Sequence, residues 1–122
     1  MAIALRGLHQ ELRPYAELAL DWARYYGIRP EITSVFRTWE DQERLYQKHL
    51  RCVQQGRFGQ APDCLYPANE PGDSAHGAHF AWDSWVPDED MPLWIEIRRN
   101  IGWHVPQHDN IHAALPDWRQ YV

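Results

Sequence analysis

Pro71-Gly72-Asp73-Ser74-Ala75-His76-Gly77-Ala78-His79-Phe80-Ala81-Trp82-Asp83 opens as a turn and closes as a strand. Pro and Gly punctuate its start. From His79 to Val86 the pattern predicts an extended segment, so residues 79, 81 and 83 share one face by the two-residue period. His76 is thereby delivered by the turn and Asp83 by the strand. Trp82 and Trp85 are expected to pack from the same strand.

Downstream, Pro92 suits the first turn of a helix carrying Leu93, Trp94, Ile97 and Ile101. A short strand is expected near Ile111 to Leu115, just after Asp109-Asn110-Ile111-His112. Upstream, Leu12, Tyr15, Leu18, Ala19, Trp22 and Tyr26 recur at helical spacing, predicting a helix from about His9 to Tyr26 that stops at Gly27. Ile28 to Phe36 reads as a short strand. Thr38-Trp39-Glu40-Asp41 resembles a capping box and predicts a helix through Leu45, Tyr46, His49, Leu50 and Val53. From Gly56 to Gly72 no periodicity survives, and a loop this long in a compact domain is often functional. The sum is an α+β fold over residues 1–122, a single domain with a small antiparallel sheet and packed helices.

Composition narrows the classes of function. The chain has 122 residues, a net charge of −5 and no long basic run, which argues against nucleic acid as a partner. No apolar stretch approaches the roughly 20 residues of a membrane span. The start, MAIALRGLHQELRPY, lacks the regions of a secretory signal, so synthesis in the cytoplasm without a signal peptide is expected. Cys52 and Cys64 form no Cys-x-x-Cys pair, and in a reducing cytosol they are expected to be free thiols. Seven Trp and six Tyr suggest a small core that relies on large rings.

Catalytic zinc takes three protein ligands from His, Asp and Glu and keeps one position for water, whose proton a nearby carboxylate can accept. The two segments carrying His76, Asp83, Asp109 and His112 supply such groups. Taken alone, a single Asp-x-x-His is common by chance. His104, His108 and His112 are spaced by four and would make a rival site on a helix, but Pro106 falls inside that helix. His104 and His108 are therefore expected in a loop beside the cleft.

Ser74-x-His76 followed by Ala81-x-Asp83 resembles the S-x-H-x-x-G-x-A-x-D signature of the D-alanyl-D-alanine carboxypeptidase (VanY-type) family. That family has the Hedgehog/DD-peptidase fold and includes phage L-alanyl-D-glutamate endolysins. Ser34-Val35-Phe36-Arg37-Thr38 with Gln42 is similar to its S-G-Y-R-S segment and trailing glutamine, and Trp103 precedes Asp109-x-x-His112 as a tryptophan often does there. The resemblance implies Zn2+ held by His76, Asp83 and His112, with Asp109 as the catalytic carboxylate. Arg37 would bind substrate or polarise its carbonyl, with Ser74 and Gln42 near the substrate. It implies a peptidase acting on the bacterial peptidoglycan stem peptide. The aspartate form of the last motif favours the L-alanyl-D-glutamate class over D-Ala-D-Ala cleavage.

Such an enzyme is expected to be a monomer that reaches the wall after release from the cell, or as part of a virion. Two positions depart from the pattern. His79 replaces the family glycine, as a packed or solvent-facing residue or as an extra ligand or proton donor, and Ala113-Ala114 follow His112. A competing reading keeps the fold as a catalytically inactive binding module. Another is a peptidase that acts on something other than cell wall.

Overall fold

The computed structural model describes residues 3–70 and 72–121; Pro71, within the loop expected from Gly56 to Gly72, lies outside the described residues, as do residues 1, 2 and 122. Among the described residues the helices are α1 (Ile3–Arg6), α2 (Arg13–Tyr25), α3 (Trp39–Gln54) and α4 (Met91–Ile101). The strands are β1 (Glu31–Ser34), β2 (Ala81–Trp85) and β3 (His112–Ala114). They form one antiparallel sheet in the order β1-β2-β3.

Each element follows from local chemistry. The Thr38 side chain accepts from the Asp41 amide at 3.1 Å, which starts α3 as the capping pattern predicts. Pro92 sits in the first turn of α4, where its missing N–H costs nothing, and Gly102 ends that helix at φ +121°. A bulge between Ile32 and Ser34 shifts the register of β1 so that Ser34 faces Asp83. Bulges re-aim side chains in this way.

Alternation along β2 separates core from site. Trp82 and Ser84 point into the layer under the helices, where Trp82 meets Trp94 and Trp103 edge-on at 6.0 and 5.7 Å between ring centroids. Such tilted pairs are worth about 1 kcal/mol beyond their burial. Ala81 and Asp83 lie on the opposite face. Trp85, the last residue of the strand, is half exposed and does not pack into the core, contrary to expectation.

The inward face of α2 also differs from expectation. Ala16, Ala19 and Ala23 are buried, whereas Tyr15, Leu18, Trp22 and Tyr26 are exposed. The small residues let α2 lie close to α4, and the large ones are left outside. The rings thus divide, with Trp82, Trp94, Trp103 and Trp118 buried and most tyrosines at the surface.

The cysteines correct another expectation. Cys52 and Cys64 are joined in a disulfide, with Cα atoms 5.6 Å apart, and both are buried. Turns after α3 bring the chain back to it: Arg57 N donates to Cys52 O at 2.8 Å and Gly59 N to Cys64 O at 2.7 Å.

The crosslink spans 12 residues. The Cys52→Ala/Cys64→Ala protein should therefore lose about 3 kcal/mol of stability by chain-entropy reasoning. Denaturant midpoints with and without reductant check this; equal midpoints for wild type in both buffers would contradict it.

Candidate metal centre

The sheet register brings Asp83 opposite His112 on one side and Ser34 on the other. His76 arrives from the turn before β2, and its Nδ1 lies 2.6 Å from the Val35 carbonyl oxygen. A carbonyl can only accept, so Nδ1 carries the hydrogen and Nε2 presents a lone pair. His76 Nε2, Asp83 Oδ1 and His112 Nδ1 then form a near-equilateral triangle. Its sides are 3.1 Å from Asp83 to each histidine and 3.2 Å between the histidines.

Three acceptor atoms this close repel one another unless a proton or a cation lies among them. Tetrahedral zinc, bound at about 2.0–2.1 Å, spaces its ligands by roughly 3.3 Å, so the triangle fits the ion. The donor set, two imidazoles and one carboxylate, is also of the kind zinc takes, and the Val35 carbonyl fixes the tautomer of one candidate ligand from behind.

The electrostatics agree. Burial alone would raise the pKa of Asp83, but protons on the His112 and His76 nitrogens that face it, by hydrogen bond and charge, outweigh this and hold the carboxyl well below the usual range; a cation in the triangle would take the place of those protons and act in the same sense. Its other oxygen, Oδ2, accepts from Arg37 Nη2 at 3.2 Å. Arg37 is fixed in turn, since Nη1 donates to Gln42 Oε1 at 3.0 Å. Gln42 is buried; its Oε1 also accepts from Ser74 Oγ at 3.2 Å, and its Nε2 donates to Asn69 O at 2.6 Å. Arg37, Gln42 and Ser74 thus form one network that ends on a candidate ligand.

The triangle lies in a cleft of about 570 Å3. Arg37, Gln42, Ser74 and Asp109 line it. The Asp109 backbone closes the turn to His112, whose amide donates to its carbonyl at 3.0 Å. Burial pushes the Asp109 carboxyl above the ordinary range, with the charge of Asp83 adding to this and the histidines opposing it. His104 and His108 border the cleft as expected, exposed and outside any helix; His104 instead forms a bridge to Ala114.

His79 stands away from the centre. Its Nδ1 lies 2.8 Å from the Gly7 carbonyl, and its ring stacks on Phe36 at 4.4 Å. Its backbone is left-handed, at φ +66°. That conformation favours glycine, the residue at the matching position of the signature that the segment resembles, and here a histidine adopts it. His79 bears the strain, and its side-chain contacts offset it. Gly7 has its own reason: an added Cβ would come within 2.7 Å of Phe36 Cβ.

Sequence reading did not single out Tyr66, which lines the cleft from the loop between α3 and β2. Burial raises its pKa, and the charges of Asp109 and Asp83 add to the effect. The length of the loop was the only signal.

The position of Asp109 makes a stability prediction. Its folded pKa is raised, so the fold favours the protonated form below the ordinary carboxylate range and loses that contribution as pH rises through the folded value. Metal-free Asp109→Asn should therefore melt above wild type at pH 7, with the gap closing toward pH 4. A lower melting temperature at pH 7 would contradict the assigned burial.

No family model matches the chain, and no curated protein does. Solved structures match it in fold. A mutant of the vancomycin-resistance D,D-pentapeptidase VanY from the VanB-type cassette, in complex with Zn(II), aligns with TM-score 0.70 and 19% identity over 88% of this chain and 72% of that one. VanYB in complex with D-Alanine-D-Alanine aligns with TM-score 0.71 and 18% identity, over 93% and 74%. The Serratia marcescens L-Ala D-Glu endopeptidase ChiX aligns with TM-score 0.58 and 19% identity, over 98% and 88%. The arrangement of helices on a three-stranded antiparallel sheet is thus the fold of these peptidases.

Proposed function

We propose that the chain is a zinc-dependent peptidase that hydrolyses an amide bond in the peptidoglycan stem peptide, and that the bond is of the L-alanyl-D-glutamate type rather than D-Ala-D-Ala. The observation that carries this reading is the triangle of His76 Nε2, Asp83 Oδ1 and His112 Nδ1 in an open cleft, with Asp109 on its wall. The shared fold supports the substrate class, because the similar structures include a D,D-pentapeptidase, an LD-carboxypeptidase described for its peptidoglycan recognition, and an L-Ala D-Glu endopeptidase. ChiX, the endopeptidase, is also near this chain in extent, and the aspartate at position 109 points the same way.

When bound, zinc would act as a Lewis acid on the scissile carbonyl and lower the pKa of a water molecule. Asp109 takes that water's proton and passes it to the leaving amine, and its burial makes it a stronger base than an exposed aspartate. Arg37 orients Asp83 and sets its positive charge in the wall where the carbonyl oxygen gains negative charge. Gln42 fixes Arg37 and Ser74 together, so the substrate meets a preformed wall.

Among the described residues no helix is long and apolar enough to cross a membrane. The disulfide suits work outside a reducing cytosol, in keeping with a monomeric lysis enzyme released to the wall or carried on a virion.

Purified cell walls should release new amino termini of glutamate when treated with the zinc-loaded protein. Release of D-alanine alone would move the assignment to the carboxypeptidase class, and cleavage of ordinary L-peptides alone would remove the cell wall as substrate. Asp109→Ala should retain one zinc and lose at least about a hundredfold in kcat. Zinc occupancy without hydrolysis in wild type would favour a binding module. His76→Ala should lose the metal and some stability with it, because metal binding and folding are coupled. Unchanged zinc content there would strike His76 from the ligands.

A further inference from the structure

Arg98 is fully buried on α4, and no step proposed above uses it. Its Nε donates to Trp94 O at 3.2 Å, and its Nη2 donates to Asn110 O at 2.6 Å and lies 3.8 Å from Met91 Sδ. Its guanidinium carbon stands 4.9 Å over the Trp94 ring. These acceptors are carbonyls and a thioether, with no carboxylate among them, and Nη1 has no acceptor among the described residues. Burial lowers its pKa to about 10, which still leaves a cation at neutral pH. A buried charge held this way costs stability that an apolar residue of similar volume would not. The fold alone does not account for it.

What it touches does. Asn110 lies between Asp109 and His112, and the next carbonyl, that of Ile111, accepts from Ser84 N at 3.0 Å. Ser84 follows Asp83, and its Oγ accepts from Trp94 Nε1 at 2.8 Å. Trp94 and Arg98 are one helical turn apart on α4. We infer that this turn of α4 is the positioning device of the metal centre, with Trp94 holding the strand at Asp83 and Arg98 holding the turn that carries Asp109 and His112. Arg98 acts through Asn110 and is a positioning residue, not a catalytic one. The inference rests on the metal-centre reading, which it deepens by naming what fixes the third ligand against the other two.

The test uses Arg98→Met, close in volume and without charge, beside Arg98→Lys, which keeps the charge and one donor. Arg98→Met should unfold at the same denaturant concentration as wild type or higher, yet bind zinc about 10- to 100-fold more weakly in chelator competition. Its kcat should fall while KM stays near wild type, and Arg98→Lys should recover part of the zinc affinity. In metal-free protein the amides of Asp109 and His112 should exchange faster in Arg98→Met, with those of α2 unchanged.

Wild-type zinc affinity together with wild-type exchange at those amides would overturn the inference. If Arg98→Met does not fold, Arg98→Lys decides: intermediate zinc affinity upholds the inference and wild-type affinity overturns it. A wild-type protein that binds no zinc defeats the peptidase reading, while the exchange comparison still judges the positioning role by itself.

Discussion

His76 Nε2, Asp83 Oδ1 and His112 Nδ1 come within 3.1–3.2 Å of one another, and a cluster this tight holds only when a proton or a cation sits in it. Much of the structure serves that constraint. The β1 bulge aligns Ser34 with Asp83, and the Val35 carbonyl then receives the His76 ring. The β2–β3 register supplies His112. Arg37 neutralises the outer oxygen of Asp83 and is itself held by Gln42. The cluster draws one side chain from a turn and two from neighbouring strands, so it exists only in the folded chain.

The two faces of β2 carry separate duties. Trp82 and Ser84 look toward α4 and the core, and Asp83 looks toward the cleft. Rigidity on the first face is what the second requires, because a ligand set off by an ångström does not bind or catalyse as well. Three tryptophans, Trp82, Trp94 and Trp103, supply packing that a small sheet could not obtain from aliphatic residues alone. The opposite wall of the cleft is irregular. It is tied to α3 twice, by the Cys52–Cys64 bond and by Asn69 on Gln42.

The convergence of His76, Asp83 and His112 was more legible in the sequence than the packing was. His76, Asp83, Asp109 and His112 stand in motifs whose spacing survives folding, and the elements around them fall where hydrophobic period and capping put them. The face of α2 was misjudged because Tyr15, Trp22 and Tyr26 repeat at helical spacing as well as its alanines do, and close packing chose the small residues. The cysteine pair was illegible because its closeness depends on turns after α3 that carry no periodic signal. His79 looked like a question about the metal, but a left-handed backbone gives it a local answer. Arg98 left one trace, a charge at position i+4 from Trp94 on the apolar stripe of α4, where only a buried role makes sense.

X-ray absorption at the zinc edge of the reconstituted protein tests the central claim most directly. The account predicts one zinc per chain with two imidazole nitrogens at about 2.0 Å, oxygen ligands completing a four-coordinate shell, and no sulfur. Sulfur scattering, or a six-coordinate shell of oxygens without imidazole, would contradict it.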